Sequence, residues 1–249
     1  MSTALITGAS SGIGREFAKL LRADGHQVIV VARREAALRT LAEEIGGATV
    51  IVLDLSRNDA VAQLVAQVPD VDVLINNAGF GDSGPFVESD PQRQLDMINL
   101  NVRCVSELTR AYLPGMVQRR FGRVLNVAST AAFQPGPFMA TYFATKAFVL
   151  SFSEAVAEEL RGTGVSVTAL CPGVTQSEFH AVAGLGETKV ARVKMPTAAS
   201  VAAQGYEALL GGSTVVVTGT LNKIGTLGVR IVPRSVVRKL VKLVLKRSR

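Results

Sequence analysis

Seven short, almost unbroken apolar runs, separated by longer amphipathic stretches, constrain this chain more than any other feature. They are Thr3–Thr7, Gln27–Ala32, Thr49–Leu53, Val71–Ile75, Arg123–Ala128, Val165–Leu170 and Thr214–Thr218. A strand that is apolar on both faces has to be covered on both faces. Helical periodicity fills most of the gaps: Ile13–Asp24, Arg34–Ile45, a long region Ser89–Arg120, a helix carrying Tyr142 and Lys146 that runs to Arg161, and Ala198–Leu210. Regular alternation of this kind predicts one doubly wound α/β domain, a parallel seven-stranded sheet with helices on both faces. At 249 residues the chain is long enough for a single core of that size.

The first connection is chemically specific. Gly8-Ala9-Ser10-Ser11-Gly12-Ile13-Gly14 links a strand to a helix start. Glycines let a backbone approach a pyrophosphate, and a helix N-terminus offers free N–H groups at a positive dipole end. The spacing is Gly-x-x-x-Gly-x-Gly, not the usual dinucleotide fingerprint. About 20 positions further on, where an acid would take the ribose 2′-hydroxyl of NAD, the chain has Arg33 and Arg34. Guanidinium groups suit a 2′-phosphate, which favours NADP(H) over NAD(H).

Tyr142 and Lys146 are one helical turn apart and share a face. An ammonium beside a phenol favours the phenolate and lowers its pKa from about 10. Ser129 follows the fifth strand. The two histidines, His26 and His180, are too far apart for metal-ligand spacing, and no metal is expected. Cys104 and Cys171 both sit in apolar surroundings, which fits reduced thiols and a cytoplasmic setting. No signal peptide or membrane-spanning run is read from the chain.

These motifs, in this order, resemble the short-chain dehydrogenase/reductase family over roughly residues 3–220. Thr7 to Gly14 is similar to the family's glycine motif, and Asn76-Asn77-Ala78-Gly79 to its structural turn. The resemblance implies a Rossmann-type fold and a catalytic tetrad of Asn101, Ser129, Tyr142 and Lys146. In that reading Tyr142 is general acid or base, Lys146 tunes it and holds the nicotinamide ribose, Ser129 binds the substrate oxygen, and Asn101 holds a relay water. It also implies cofactor contacts from Gly8, Ser10, Ser11, Gly12, Ile13, Gly14, Arg33, Arg34, Asp54, Leu55, Asn77, Ala78, Gly79, Tyr142 and Lys146. A nicotinamide loop of Pro172, Gly173, Val174, Thr175 and Ser177 completes the set; the family usually has threonine where Ser177 stands.

The expected reaction is hydride transfer between NADP(H) and a carbonyl or secondary alcohol. Reduction of a hydrophobic or extended carbonyl compound is favoured, because Phe80, Phe133, Phe138 and Phe179 flank the motifs. An NADP-dependent secondary-alcohol dehydrogenase is an alternative, and a non-catalytic NADP-binding sensor or scaffold is one of another class. The expected organisation is a catalytic domain over 1–220, with a lid over 175–197, and a basic amphipathic extension over 221–249. Nine of the 27 Lys and Arg lie from Lys223 onward, and no acid follows Glu207. Without those nine the balance is 18 basic against 20 acidic residues, so the net charge of +7 belongs to the tail. Nucleic-acid binding is not expected, because the tail has no stacking aromatics. After Pro233 the pattern predicts a helix with Val236, Val237, Leu240, Val241 and Val244 on one side. Three partners for that side stay open: an anionic membrane surface, this domain, or a second subunit in a homodimer or homotetramer.

Overall fold

β1 (Thr3–Thr7) lies mid-sheet, with β2 (Gln27–Ala32) on one side and β4 (Val73–Asn76) on the other. In this computed structural model, which describes residues 2–178, 183–184 and 195–246, all seven strands are parallel, in the order β3-β2-β1-β4-β5-β6-β7. The remaining strands are β3 (Thr49–Val52), β5 (Gly122–Val127), β6 (Val165–Cys171) and β7 (Val215–Val217). Alternation along β1 divides the core. Ala4 and Ile6 pack with Phe17 and Leu21 of α1 (Gly12–Ala23), Leu38 of α2 (Glu35–Glu44) and Val201 of α7 (Ala198–Leu210). Leu5 faces the opposite layer, with Leu64 of α3 (Ala60–Gln67) and Leu108 of α5 (Cys104–Arg119). Strand order reverses between β1 and β4, which places the ligand crevice at their C-terminal ends.

The structure adds detail that the periodicity does not mark. α3 is a further helix between β3 and β4, burying Ala60, Val61 and Leu64. The long helical region divides into α4 (Pro91–Ile98), a π-helical turn over Asn99–Arg103, and α5. Such turns cluster at functional sites, and this one holds Asn101 at 1% exposure. α6 (Ala140–Glu159) carries Tyr142 and Lys146. Beneath it a buried chain of amides and hydroxyls ties the sheet to the helices. Asn76 Nδ2 donates to Thr109 Oγ1 (3.1 Å) and Asn126 Oδ1 (2.8 Å), and Asn126 Nδ2 donates to Ser153 Oγ (2.9 Å).

Two helices close the chain, α8 (Thr220–Ile231) and α9 (Arg234–Leu245). α9 packs on its own domain: Val241 and Leu245 join a cluster with Met97, Met139, Tyr142 and Phe143. Among the described residues no helix is long and apolar enough to cross a membrane.

Candidate active site

The crevice is a cavity of about 710 Å³ whose walls come from the ends of β1, β2, β4, β5 and β6 and from α6 and α9. Its floor at β1 is a glycine turn. Gly8 sits at φ +66°, and a Cβ there would come within 2.8 Å of the Ala78 Cα. A Cβ at Gly14 would collide with the Asn77 amide. Asn77 needs that space: its Nδ2 donates to the carbonyls of Thr7 (2.9 Å) and Gly8 (3.1 Å), locking the β4 turn to the glycine turn. The Thr7 hydroxyl accepts from the N–H groups of Asn77 and Ala78, both at 3.0 Å. No side chain caps the first turn of α1, so its N–H groups face the cleft beside Ser11 and Gly12.

At the far rim, Arg34 donates to Ser10 Oγ through Nε (3.2 Å) and Nη2 (3.1 Å), and its Nη2 is 2.8 Å from Glu178. Arg33 is mostly exposed, with Nη1 3.8 Å from Asp54. Asp54 accepts from the Ser56 hydroxyl at 2.8 Å. Burial raises the pKa of its carboxyl, but the bonds from Ser56 and the charge of Arg33 outweigh that and hold it below the usual value. A wall with two guanidinium groups, a glycine turn and an uncapped helix start fits a phosphorylated dinucleotide in charge, shape and donors.

At the opposite end, Ser129, Tyr142 and Lys146 line one wall together. Lys146 Nζ donates to the Val127 carbonyl at 2.6 Å and sits 5.9 Å from the centroid of the Tyr142 ring. Spacing suggests that the ammonium lowers the phenol. Burial dominates instead: it pushes Tyr142 up to about 12, against a smaller lowering from its hydrogen bond with Ser129, and pushes Lys146 down to about 8. Asn101 stands behind them. Its Nδ2 donates to the Phe80 carbonyl (3.0 Å) and Thr145 Oγ1 (3.1 Å), while its Oδ1 accepts from the Phe80 N–H (3.2 Å). It therefore clamps the β4 loop to α6.

The depressed Lys146 has a consequence for stability. Its folded pKa of about 8 lies below the ordinary 10.5, so between those values the unfolded chain binds the extra proton. Stability from this group therefore rises with pH through that window, and its full penalty falls below about 8. Lys146→Met is expected to raise the thermal midpoint at neutral pH, with the gain shrinking from pH 8 to 10.5. Melts in which the variant is less stable at neutral pH would contradict this.

The model of the short chain dehydrogenase family matches residues 2–187. This chain is a member of that family. A short chain dehydrogenase of Pseudocercospora fijiensis is 42% identical over 191 residues, covering 72% of this chain and 61% of the relative. A very-long-chain 3-oxoacyl-CoA reductase of Laccaria bicolor is 41% identical over 175 residues, covering 66% of this chain and 52% of the relative. This chain thus spans less than two thirds of either curated relative. Among solved structures, a short-chain dehydrogenase from Sphingobium yanoikuyae in complex with NADPH superposes with a TM-score of 0.83. It is 30% identical, with 93% of this chain and 94% of that one covered.

The cleft of this short-chain dehydrogenase gathers most of the residues that the sequence singles out. Gly8, Ser10, Ser11, Gly12, Ile13, Arg33, Arg34, Asp54, Leu55, Asn77, Ala78, Gly79 and Phe80 line it, as do Pro172, Gly173, Val174, Thr175 and Ser177. Gly14 and Asn101 sit just behind the lining. Phe133 does not reach the cleft; it packs beside Ala128, Val149 and Val217 at the sheet end. Phe138 packs against the Tyr142 cluster and is not part of the lining. Phe179 and His180 lie outside the described residues. Two features escape sequence reasoning. Leu240, Val241, Val244 and Leu245 of α9 enter the cleft wall. Asn222 of α8 donates to the Thr218 carbonyl (2.7 Å) and fills the space where Gly173 would carry a Cβ, bracing the loop that follows β6.

Proposed function

We propose that this chain is an NADPH-dependent carbonyl reductase whose substrate carries an extended apolar body. When bound, the nicotinamide supplies the hydride. Tyr142, still protonated at working pH, donates its hydroxyl proton to the substrate oxygen, and Ser129 holds that oxygen by hydrogen bonding. Lys146 keeps positive charge beside the phenol, which eases its loss of a proton, and orients the ribose. Asn101 acts through position, holding Phe80 and α6 in register. Arg33 and Arg34 take the 2′-phosphate, a reading supported by the NADPH complex of the Sphingobium relative. The same residues run the reverse reaction if an alcohol and oxidised cofactor are supplied.

The observation that carries the substrate reading is the apolar wall contributed by α9. Leu240 and Val244 face the cleft with 55% and 47% of their surface exposed, beyond the Tyr142 end. An acyl-type chain covers such a surface; a small polar ketone does not. The very-long-chain 3-oxoacyl-CoA reductase relative supports the same class. The test is NADPH oxidation against ketones of rising chain length. Specificity kcat/KM should climb with length, and Leu240→Asp with Val244→Asp should cost long substrates about tenfold while sparing short ones. Both positions are exposed enough that the fold survives the change. A flat chain-length profile, unchanged by the variant, would refute the reading. We further propose a homodimer or homotetramer through α5 and α6. Phe148 on α6, 40% exposed and stacked on Phe152 at 5.7 Å, supports such a face.

A further inference from the structure

α8 is built inside out. Its inward side carries Asn222, Thr226 and Val229, with Thr226 only 8% exposed. Its outward side carries Leu221, Ile224, Leu227 and Ile231, exposed by 85%, 62%, 59% and 86%. A helix resting on a globular core does the reverse, burying the apolar stripe and wetting the polar one. Four large aliphatic side chains on one outward face form a patch of the kind that marks a docking surface.

The charges around this stripe say what covers it. Lys223 and Arg230 lie four residues before and three after Leu227, so they flank the stripe on one side. The next helix adds Arg234, Arg238, Lys239, Lys242 and Lys246, all exposed. With no acid after Glu207, nothing within either helix offsets them. A second copy of this chain is a poor occupant. A two-fold contact of α8 on α8 would bring one set of uncompensated cations against another, at a cost in association. An acidic lipid headgroup layer supplies both things the surface lacks, apolar depth for the leucines and isoleucines and negative charge for the lysines and arginines.

We infer that the outward face of α8, with the basic residues of α8 and α9, is a docking surface for an anionic membrane. α8 passes through Val232 and Pro233 directly into α9, whose Leu240 and Val244 wall the cleft. A docked α8 holds the apolar end of that cleft within about one helix length, ~18 Å, of the lipid. This inference does not depend on the substrate reading, since docking is measured without turnover.

The test is co-sedimentation of the full chain with phosphatidylcholine vesicles, with and without phosphatidylglycerol. Binding is expected only with phosphatidylglycerol, and added salt should weaken it. Ile224→Asp with Ile231→Asp should reduce vesicle affinity at least ~tenfold, as should Lys223→Glu with Arg230→Glu. Reduction of a short soluble ketone by all of these variants should match the parent, showing an intact fold. No binding by the parent, equal binding to neutral vesicles, or binding unchanged in the variants would overturn the inference. So would concentration-dependent self-association, measured without vesicles, that Ile224→Asp and Ile231→Asp abolish; the face would then belong to a second copy.

Discussion

Replacing Tyr142 with phenylalanine should lower NADPH-dependent carbonyl reduction by about 10²–10⁴-fold, the span expected for removal of a positioned general acid, and leave NADPH binding intact. The ring is held by packing that the substitution keeps. It sits in a cluster with Met97, Met139 and Leu245, and meets Phe143 edge-on at a centroid distance of 6.1 Å. Only the hydroxyl and its bond with Ser129 disappear. Burial pushes the phenol up to about 12, so it carries its proton at neutral pH and is prepared to donate. Lys146, pushed down to about 8, still carries charge at neutral pH. Steady-state rates and a fluorescence titration of NADPH separate chemistry from binding. A Tyr142→Phe enzyme with parental turnover would remove Tyr142 from the mechanism.

The burial of this pair is where sequence reasoning stops short. A four-residue spacing puts Tyr142 and Lys146 on one helical face, and the structure has them there. Spacing says nothing of the dielectric around them. Desolvation decides both pKa shifts, and it depends on β5, β6 and α9 closing over the site. Asn101 is similar. Its place in the chain was legible, but the π-helical turn that swings it inward leaves no mark in hydrophobic periodicity. The strands were legible because a double-sided sheet demands unbroken apolar runs. α3 was not, although Ala60, Val61 and Leu64 have helical spacing, because eight residues give a weak periodic signal.

The tail shows a different limit. Its apolar positions are plain in the sequence, but α9 divides them between two environments. Val237, Val241 and Leu245 recur every fourth residue and turn inward, whereas Val236, Leu240 and Val244 stay at least partly exposed. A single stripe on paper thus serves two surfaces. α8 was obscured by Gly225 and Gly228, which lower helix propensity. Its unusual orientation rests on contacts that only the fold supplies, Asn222 against Gly173 above all.

Arg33→Ala with Arg34→Ala should reduce kcat/KM for NADPH by about 10²-fold, taking the lower end of a charged hydrogen bond, ~1.5 kcal/mol, for each exposed guanidinium. The value for NADH should barely move, because the two cofactors differ only at the 2′-position, which the proposed function assigns to these two residues. The present geometry supports that pairing. Arg34 is already drawn over the cleft by Ser10 and Glu178, and Arg33 leans on Asp54. A phosphate arriving there competes with Glu178 for Arg34, and its two negative charges against one carboxylate favour the exchange. The measurement is a side-by-side comparison of NADPH and NADH for parent and variant on one ketone. Equal losses for both cofactors would mean that the arginines hold the rim together and do not read the phosphate. A parent that prefers NADH would make them a solvated pair, neutralised by Asp54 and Glu178.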